Sequence, residues 1–492
     1  FRRVLFRSVV SGTSYIDLLG GTVVKDVYAA GTSGAVLDLY KAKNFTASAT
    51  VYVEGGTVRN VYGGGWKGSV GRHDGELSDA ADQDIPGETH VVIGIRPDQD
   101  AVPSDYGFYR GVPAIQRNVY GGGEGGAVYG KTNVVLNNAY IGYEYAKQED
   151  ASDSTYVEKV NDETWTDHIG LNRLYDCGNV FGGGYDDNSS VDSTNIVLWN
   201  GTIRNSVFGG GEIATVGRGS TIENGASRTL KAVYQYGKTN VAMYNGHVLR
   251  NVFGGGKGYN ILGYGGMHEY YTDGYVFGQT EVHIYGGEVG TTAGVTDGFG
   301  NVFGGGDVGF VYSRGFFNEK SRQTETGSPN HYYYYGDDGN LTEDCKVVVS
   351  PMLQVRPGKT VDYQGKTYKP YEYVPTEYLN TLPDKDSDGN WTDGWQDLYT
   401  DDGWSGEERG VHIYNAVFAG GNVSSNSDKT YANATTVFGN TTATLNDVYH
   451  RDFITVGTEH TGGLYGGGNL SVVNGYRELN ITNYGTDYYG LD

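Results

Sequence analysis

The sequence predicts an all-β protein built as a parallel β-helix (a β-solenoid) with long loop insertions. Three observations predict this fold: the composition, a recurring glycine-rich motif, and alternating apolar residues upstream of each motif copy. The chain of 492 residues contains 80 Gly and 43 Tyr but only 10 Pro, 3 Met and 2 Cys. Frequent Gly with abundant Val, Thr and Tyr favours many short strands joined by tight turns. The length favours several domains or one elongated repeat array.

The glycine-rich motif reads Asn-Val-aromatic-Gly-Gly-Gly. Full copies occupy residues 60–65, 118–123, 179–184, 251–256 and 301–306. Near copies occupy residues 205–211, 417–421 and 464–468, and a divergent copy occupies residues 26–31. Internal self-similarity at this scale indicates stacked supersecondary units.

A second sequence element, of similar length in each repeat, lies upstream of the motif copies. Residues 194–203 read TNIVLWNGTI, residues 239–248 read TNVAMYNGHV, and residues 280–289 read TEVHIYGGEV. Alternation of apolar residues predicts a strand with one buried face, and Asn-Gly or Gly-Gly predicts a sharp bend after it. A Gly-x-Thr sequence precedes many of these strands, beginning at Gly87, Gly130, Gly237, Gly278 and Gly439. The two elements together have the size of one solenoid coil.

Two architectures fit this pattern. Asn200-Gly201 and Asn245-Gly246 are also typical of β-hairpins, so an array of antiparallel hairpins is the alternative. A parallel β-helix is favoured because stacked coils explain the recurring Asn as a hydrogen-bonded ladder at about 4.8 Å spacing. It predicts one buried row of Val61, Val119, Val180, Val207, Val252 and Val302. It predicts a second row of Asn60, Asn118, Asn179, Asn205, Asn251 and Asn301, with the aromatic residues facing away from the valines.

The pattern V-x-I-x-G-G-x-V followed by a glycine-rich turn resembles bacterial surface adhesins and autotransporter-like passenger domains. The resemblance covers residues 13–310 and 411–485. It implies a right-handed parallel β-helix in a secreted or cell-surface bacterial protein with an adhesion or scaffold role. The implied partners are an extracellular glycan or a host or bacterial surface protein. The shared positions are core and turn positions, so they indicate the fold and do not identify a particular ligand.

The chain divides into four segments. Residues 3–8 read RVLFRS, which resembles a translated sequencing adapter, so residues 1–8 are predicted to be a scar and the chain a fragment at both ends. Residues 9–349 are predicted to be solenoid and residues 411–492 its continuation, truncated at the end. Between them, residues 350–410 are predicted to be a separate insertion, because they hold prolines that cannot donate to a strand ladder: Pro351, Pro357, Pro370, Pro375 and Pro383.

Further insertions are predicted at two positions of the coil, where they would form two ridges along the rod. One group follows the glycine triplets, at residues 66–88, 212–237, 257–277 and 307–344. The other lies between the two strands, at residues 94–115, 142–177 and 350–410. Aromatic residues in these loops are the predicted glycan contacts, because exposed rings stack on sugars: Tyr332, Tyr333, Trp391, Trp395 and Trp404. Coverage of the solenoid flanks is the alternative role for the tyrosines.

Residues 384–393 read DKDSDGNWTD and predict a structural Ca²⁺ site. The ligands would be Asp384, Asp386, Asp388, Asn390 and Asp393. Alternating oxygen-bearing side chains around Gly389 are typical of calcium loops. The twelfth position holds Trp395 in place of the bidentate Glu, so Asp393 or Asp397 would have to substitute. A solvated acidic turn is the alternative.

A polysaccharide-active enzyme, either a β-helical lyase or a glycoside hydrolase, is the alternative function. Asp186-Asp187 and His73-Asp74 are the acidic candidates, but neither has a recognisable partner motif. The glycine triplets lack the Lys-Ser/Thr of a phosphate-binding loop. The sequence therefore favours a non-enzymatic role with no catalytic residues.

Charge, apolar runs and cysteine content limit the partners, membrane spans and disulfides that the sequence predicts. The formal net charge is −23 and no basic tract is present, which argues against nucleic acid as a partner. No apolar run is long enough to span a bilayer, so no transmembrane segment is predicted. Cys177 and Cys345 are predicted to be buried thiols that are not bonded to each other, since several motif copies separate them.

Overall fold

The computed structural model describes residues 10–37, 46–72, 85–95, 112–142, 177–217, 237–262, 268–271, 274–312, 340–352, 354–355, 359–369, 372, 374, 378, 381–382, 394, 397–399, 410–422, 436–446, 454–469 and 471–482. The fold within these residues is all-β, with long parallel sheets. The strands form four parallel ladders, numbered 1 to 4 in chain order. One pass through the four ladders is called a coil, and coil 1 begins at Thr13.

Ladder 1 contains the longest strands. They are Thr13–Leu18, Ala47–Val53, Gly87–Gly94, Val128–Ile141, Val191–Ile203, Gly237–Met243, Val276–Ile284, Cys345–Val349, Thr441–Asn446 and Arg477–Thr482, which begin or contain coils 1 to 10. The buried residues alternate along them, as the sequence pattern predicts for strands with one apolar face.

Ladder 2 follows the bend after ladder 1. Its separate strands are Thr22–Val23, Thr57–Val58, Ala114–Ile115, His247–Val248, Gly287–Val289, Val411–Ile413 and Ile454–Val456. The long strands Val128–Ile141 and Val191–Ile203 run through the bend and supply ladder 2 in coils 4 and 5.

Ladder 3 holds the Val-aromatic pairs of the motif. Its strands are Val27–Tyr28, Val61–Tyr62, Val119–Tyr120, Val180–Phe181, Val207–Phe208, Val252–Phe253, Val302–Phe303, Ala416–Phe418 and Gly463–Tyr465. Ladder 4 holds Val10–Ser11, Val36–Leu37, Val311–Tyr312, Thr436–Phe438 and Val472–Val473, connected through Val70, Val128, Val191, Val216 and Val276.

A few elements lie outside the ladders. Three antiparallel pairs join Tyr259–Leu262 with His268–Tyr271, Gln354–Val355 with Leu398–Tyr399, and Val361–Tyr363 with Lys366–Tyr368. A short 3-10 helix spans Gly294–Asp297.

The strand pairing favours the predicted parallel arrangement over the hairpin array. The strands on either side of Asn245-Gly246 pair in parallel with Val191–Ile203 in the previous coil. A hairpin would instead pair these two strands with each other in antiparallel. The parallel, repeat-like ladders fit a β-solenoid.

The motif valines form the predicted buried row. Val61, Val119, Val180, Val207, Val252 and Val302 pair in register and are at most 2% exposed. The aromatic residues face away from them, as predicted, but those from Tyr62 to Phe303 are buried as well. Their rings form a continuous stack with centroids 4.7–5.1 Å apart, which contains Tyr28, Tyr62, Tyr120, Phe181, Phe208, Phe253, Phe303, Phe418 and Tyr465. Each interior ring therefore contacts one ring above and one below, which adds to the apolar area it buries.

The glycine triplets allow the coils to approach at this spacing. Their backbones form a ladder of their own, with Gly64 N donating to Gly122 O and Gly122 N to Gly183 O, both at 3.0 Å. A Cβ atom added to Gly63 would lie 2.2 Å from Gly121 O, and other first glycines of the triplets show the same conflict. Glycine is favoured here because a side chain would meet the neighbouring backbone.

The Gly-x-Thr sequence also has a structural explanation. Its threonine hydroxyls donate to the carbonyl of the first triplet residue in the same coil at 2.6–2.7 Å; these are Thr89, Thr132, Thr194, Thr239, Thr280 and Thr441. The bond satisfies a buried carbonyl that the tight turn leaves without a strand partner.

The predicted asparagine row is present, except at Asn205. The Asn60 side-chain oxygen accepts the backbone N–H of Asn118, and the pattern repeats from Asn118 to Asn179 and from Asn251 to Asn301 at 2.9–3.0 Å. The prediction for Asn205 is wrong. Val207 fixes the register, so Ser206 lies in the row and its N–H donates to Asn179. Asn205 instead donates to the carbonyl of Cys177.

The insertions leave the coil at more positions than the two predicted. Residues 143–176 connect ladder 2 to ladder 3, because Ile141 lies in ladder 2 and Val180 in ladder 3. The segments after the triplets fall on either side of ladder 4. For example, 218–236 follow Val216, whereas 423–435 precede Thr436–Phe438.

Residues 350–410 interrupt coil 8 between ladder 1 and ladder 2, since Cys345–Val349 and Val411–Ile413 both pair with coil 7. This insertion buries apolar residues of its own. Its described residues include buried Val355, Val361, Val374, Leu382 and Leu398.

Neither Cys177 nor Cys345 forms a disulfide, and both are buried. Cys177 precedes ladder 3 of coil 4, and Cys345 occupies the threonine row of coil 8, between Thr280 and Thr441. Among the residues that the structure describes, no helix has the length and apolar character to cross a membrane.

Candidate functional site

The residues predicted to bind calcium or glycan lie outside the described residues. This applies to Asp384, Asp386, Asp388, Asn390 and Asp393, to Tyr332 and Tyr333, and to Trp391, Trp395 and Trp404. The acidic candidate His73-Asp74 lies outside them too. Within the described part of the chain, no group of three or more His, Cys, Asp or Glu side chains is arranged to hold a metal ion.

Asp186-Asp187, the other acidic candidate, forms a turn. The Asp186 carboxylate accepts the backbone N–H and the side-chain amide of Asn188, both at 3.2 Å, and Asn188 also donates to Asp187 at 2.6 Å. Ser189 Oγ donates to the Asp186 carbonyl at 2.6 Å. These bonds are typical of an Asx turn.

A cluster of aromatic side chains lies on the outer side of ladder 1 in coils 5 to 7. Because Leu198, Met243 and Ile284 point into the core, the next residue in each coil points outward. These residues are Trp199, Tyr244 and Tyr285, and we call them the aromatic ledge. The Trp199 and Tyr244 ring centroids are 4.6 Å apart and those of Tyr244 and Tyr285 are 4.8 Å apart. All three side chains are half-buried.

A charged network adjoins the ledge on the same face. The Glu281 carboxylate lies 2.7 Å from Lys238 Nζ in the neighbouring coil and 3.8 Å from His283 Nε2 on its own strand. The His283 ring lies beside Tyr285, with centroids 5.6 Å apart and planes inclined by 19°. His283 first, and then Lys238, lower the pKa of Glu281 to about 2 against the opposing effect of burial. Glu281 is therefore a carboxylate at neutral pH.

Amide side chains extend this polar surface toward coil 4. Asn240 Nδ2 donates to Asn195 Oδ1 at 2.8 Å, and Asn133 Nδ2 donates to Glu88 at 3.0 Å. In the ladder, His90, Asn133, Asn195, Asn240 and Glu281 occupy consecutive coils. A row of donors and acceptors therefore runs along the rod beside the ledge.

The ledge ends at coil 8. Ile284 pairs with Val349, so the residue beside Tyr285 in coil 8 is Ser350, whose N–H donates to Ile284 O at 3.0 Å. Val349 pairs in turn with Leu445, which places Asn446 at the corresponding position of coil 9. Tyr285 is thus followed along the stack by a hydroxyl and then by an amide.

A second cluster lies on ladder 2, beyond the bend that follows the ledge. His247, Glu288 and His412 are paired in consecutive coils, and His247 Nε2 lies 3.6 Å from the Glu288 carboxylate. His247 Nε2 is 2.7 Å from Gly290 O, so this nitrogen carries a proton that it donates to the carbonyl. Tyr414 OH donates to Glu288 at 3.4 Å, and the Tyr414 ring stacks on His412 with centroids 3.9 Å apart.

Sequence reasoning missed the ledge, although its signal was present. The aligned segments TNIVLWNG, TNVAMYNG and TEVHIYGG place an aromatic residue at one position, and alternation assigns that position to the outer face. Glycan binding was predicted for the loops instead, because the loops are richer in aromatic residues.

Comparisons with protein-family models, with curated proteins and with solved structures find no match to this chain. The class of protein therefore follows from its fold and candidate site alone. It is an all-β protein of stacked parallel coils, with an aromatic and hydrogen-bonding surface on the outer face of ladder 1.

Proposed function

We propose that this protein is a bacterial extracellular or cell-surface scaffold, a right-handed parallel β-helix, that binds carbohydrate on the outer face of ladder 1. The observation that carries the proposal is the aromatic ledge next to the Lys238–Glu281–His283 network. Sugars are bound by aromatic groups that contact their C–H faces and by charged or amide groups that hydrogen-bond their hydroxyls. Both kinds of group lie on one strand face here, in three adjacent coils.

The scaffold role is supported by the regularity of the ladders. The outer residues of each coil are fixed by hydrogen bonds to the coils above and below, so the site needs little ordering when a ligand binds. Sites on strands are positioned more accurately than sites on loops.

A binding role is favoured over the polysaccharide-active enzyme. Glu281 has a pKa of about 2 and is paired with Lys238 and His283, so it is a poor general acid or base near neutral pH. A glycosidase also requires a second carboxylate at a set separation. In the adjacent coil 8, Lys346 is in register with Glu281, and it holds the nearby carboxylate of Glu343 in an ion pair at 2.8 Å.

A glycan array probed with the purified chain tests the proposal. We expect binding to a subset of immobilised oligosaccharides, and we expect Tyr244→Leu to reduce the signal strongly. Tyr52→Leu is the matched control, because Tyr52 is also an outward aromatic on ladder 1 but pairs with Tyr15 in a tilted geometry, with planes inclined by 47°. Equal binding by both variants, or no glycan bound by the wild type, would refute the proposal.

A further inference from the structure

We infer that the ledge takes one sugar ring of its ligand at a particular place, directly against Tyr285 on the side of coil 8. This inference rests on the proposed carbohydrate function and assigns the contact to specific residues. The aromatic series Trp199, Tyr244 and Tyr285 is followed in coil 8 by the much smaller Ser350, so a sugar ring there would continue the stack.

The spacing of the coils sets the size of this position. The ledge rings are 4.6–4.8 Å apart, which is the separation of adjacent strands. Asn446 lies two coils beyond Tyr285, at about twice that separation, or roughly 9.6 Å along the rod. A pyranose ring inserted midway would lie about 4.8 Å from the Tyr285 plane, within the range of ring stacking.

Polar groups lie around this position, together with the apolar Val348 that pairs with His283 in register. Ser350 supplies a hydroxyl at the side, and Asn446 supplies an amide at the far end, where its Oδ1 accepts from Thr482 Oγ1 at 2.9 Å. His283 and Glu281 lie on the strand that ends just before Tyr285, and they provide an imidazole and a carboxylate as hydrogen-bonding groups. Hydrogen bonds to charged groups are the stronger ones, so they would orient the hydroxyls of the ring.

The position also implies the kind of ligand. A continuous flat row of exposed ring faces would suit a polymer lying along the rod. Here the ring faces of Trp199, Tyr244 and Tyr285 are packed against one another, and the face of Tyr285 toward coil 8 meets a small side chain. The site is therefore suited to a single pyranose unit, such as a branch or a chain end, inserted edgewise.

Substitution of Ser350 provides the test. Ser350→Phe would continue the aromatic stack into the ligand position, so this variant should fold at least as well as the wild type while losing sugar binding. Ser350→Ala is the matched control, because it removes the hydroxyl but leaves the space, and it should retain most of the affinity. The probe is a panel of methyl pyranosides, observed by saturation-transfer NMR on the full chain, with thermal unfolding measured in parallel.

We expect at least about tenfold weaker binding for Ser350→Phe, with an unfolding midpoint equal to or above that of the wild type. Retained pyranoside binding in a folded Ser350→Phe variant would overturn this assignment while leaving the broader carbohydrate function intact. If the wild type binds neither the pyranosides nor any glycan on the array, both the assignment and the proposed function are wrong. If it binds glycans on the array but no methyl pyranoside, the single-ring assignment alone is wrong.

Discussion

Gly254→Ala is the most direct test of the packing between coils. Gly254 is the first residue of the triplet in coil 6, and its N–H donates to Phe303 O in coil 7 at 2.9 Å. A Cβ atom at this residue would lie 2.3 Å from Gly304 O and 3.1 Å from Val282 Cγ2. The substitution therefore adds one methyl group where the neighbouring coil leaves no room.

The magnitude follows from that distance. Nonbonded carbon contacts need about 3.5 Å, so coils 6 and 7 must separate locally by more than about 1 Å. Overpacking of this kind costs about 1–3 kcal/mol. The separation also stretches the backbone bond to Phe303, and a lost hydrogen bond adds about 0.5–1.5 kcal/mol. We expect the free energy of unfolding to fall by about 2–4 kcal/mol.

Urea unfolding followed by fluorescence measures this change, and amide hydrogen exchange shows whether the loss is centred on coils 6 and 7. Gly20→Ala is the control, because a Cβ there meets no atom within 4 Å and the stability should change by less than about 0.5 kcal/mol. Ala419 occupies the first triplet position in coil 8 and its N–H donates to Tyr465 O at 2.8 Å, so that coil accommodates one methyl group at the equivalent position. A Gly254→Ala variant as stable as Gly20→Ala would refute the inferred register.

Three further changes have defined outcomes. Thr239→Val removes the 2.6 Å bond to Gly254 O and leaves that carbonyl unsatisfied, so unfolding in urea should show a loss of about 1–3 kcal/mol. Val252→Asp buries an unpaired charge at a position 1% exposed; a loss of about 3–5 kcal/mol is expected, and a stable variant would contradict the buried row. The pKa of Glu281 is lowered from 4.5 to about 2, so its stabilising effect is present above pH 4.5 and is lost as the pH falls toward 2. Glu281→Gln should flatten that part of a stability-versus-pH curve, and an unchanged curve would argue against the network.

The rows of the solenoid were predictable because they depend on a local pattern. Alternation assigned the motif valines to the core, and repetition of Asn implied a ladder between coils. The error at Asn205 shows the limit of matching by residue type. An extra residue separates Asn205 from Val207, and the structure keeps the valine in register because burying it is worth more than continuing the asparagine row.

The burial of the aromatic stack and the positions of the insertions were not predictable in the same way. Alternation places Phe253 on the outer side but does not say what covers that side. The residue after each triplet forms another row there, in which Glu212 and Asp307 are buried, and Glu212 accepts from Tyr120 OH across two coils. Likewise, residues 143–176 could be assigned to ladder 2 or ladder 3 only once the partner of Ile141 was known.

The predicted calcium site leads to a specific expectation about residues 350–410. This insertion contains buried Val355 and Leu398 on a paired strand, so apolar packing already contributes to its order without a metal. Asp397, the possible substitute ligand, pairs with Lys359 at 3.0 Å, and Asp393 is then the better candidate.

A calcium loop at residues 384–393 should therefore order its own neighbourhood and leave the rest of the insertion folded. Calorimetry with millimolar calcium should give a binding heat that is lost in Asp386→Asn/Asp388→Asn. Chelator should increase protease cutting near Trp391, with the cutting pattern of Val361–Tyr363 and Lys366–Tyr368 unchanged. A site of about 10⁻⁴ to 10⁻³ M would be filled at extracellular calcium levels. No heat and unchanged cutting would identify residues 384–393 as a solvated acidic turn. Unfolding of the whole insertion in chelator would mean that its buried valines and leucines are too few to hold it together.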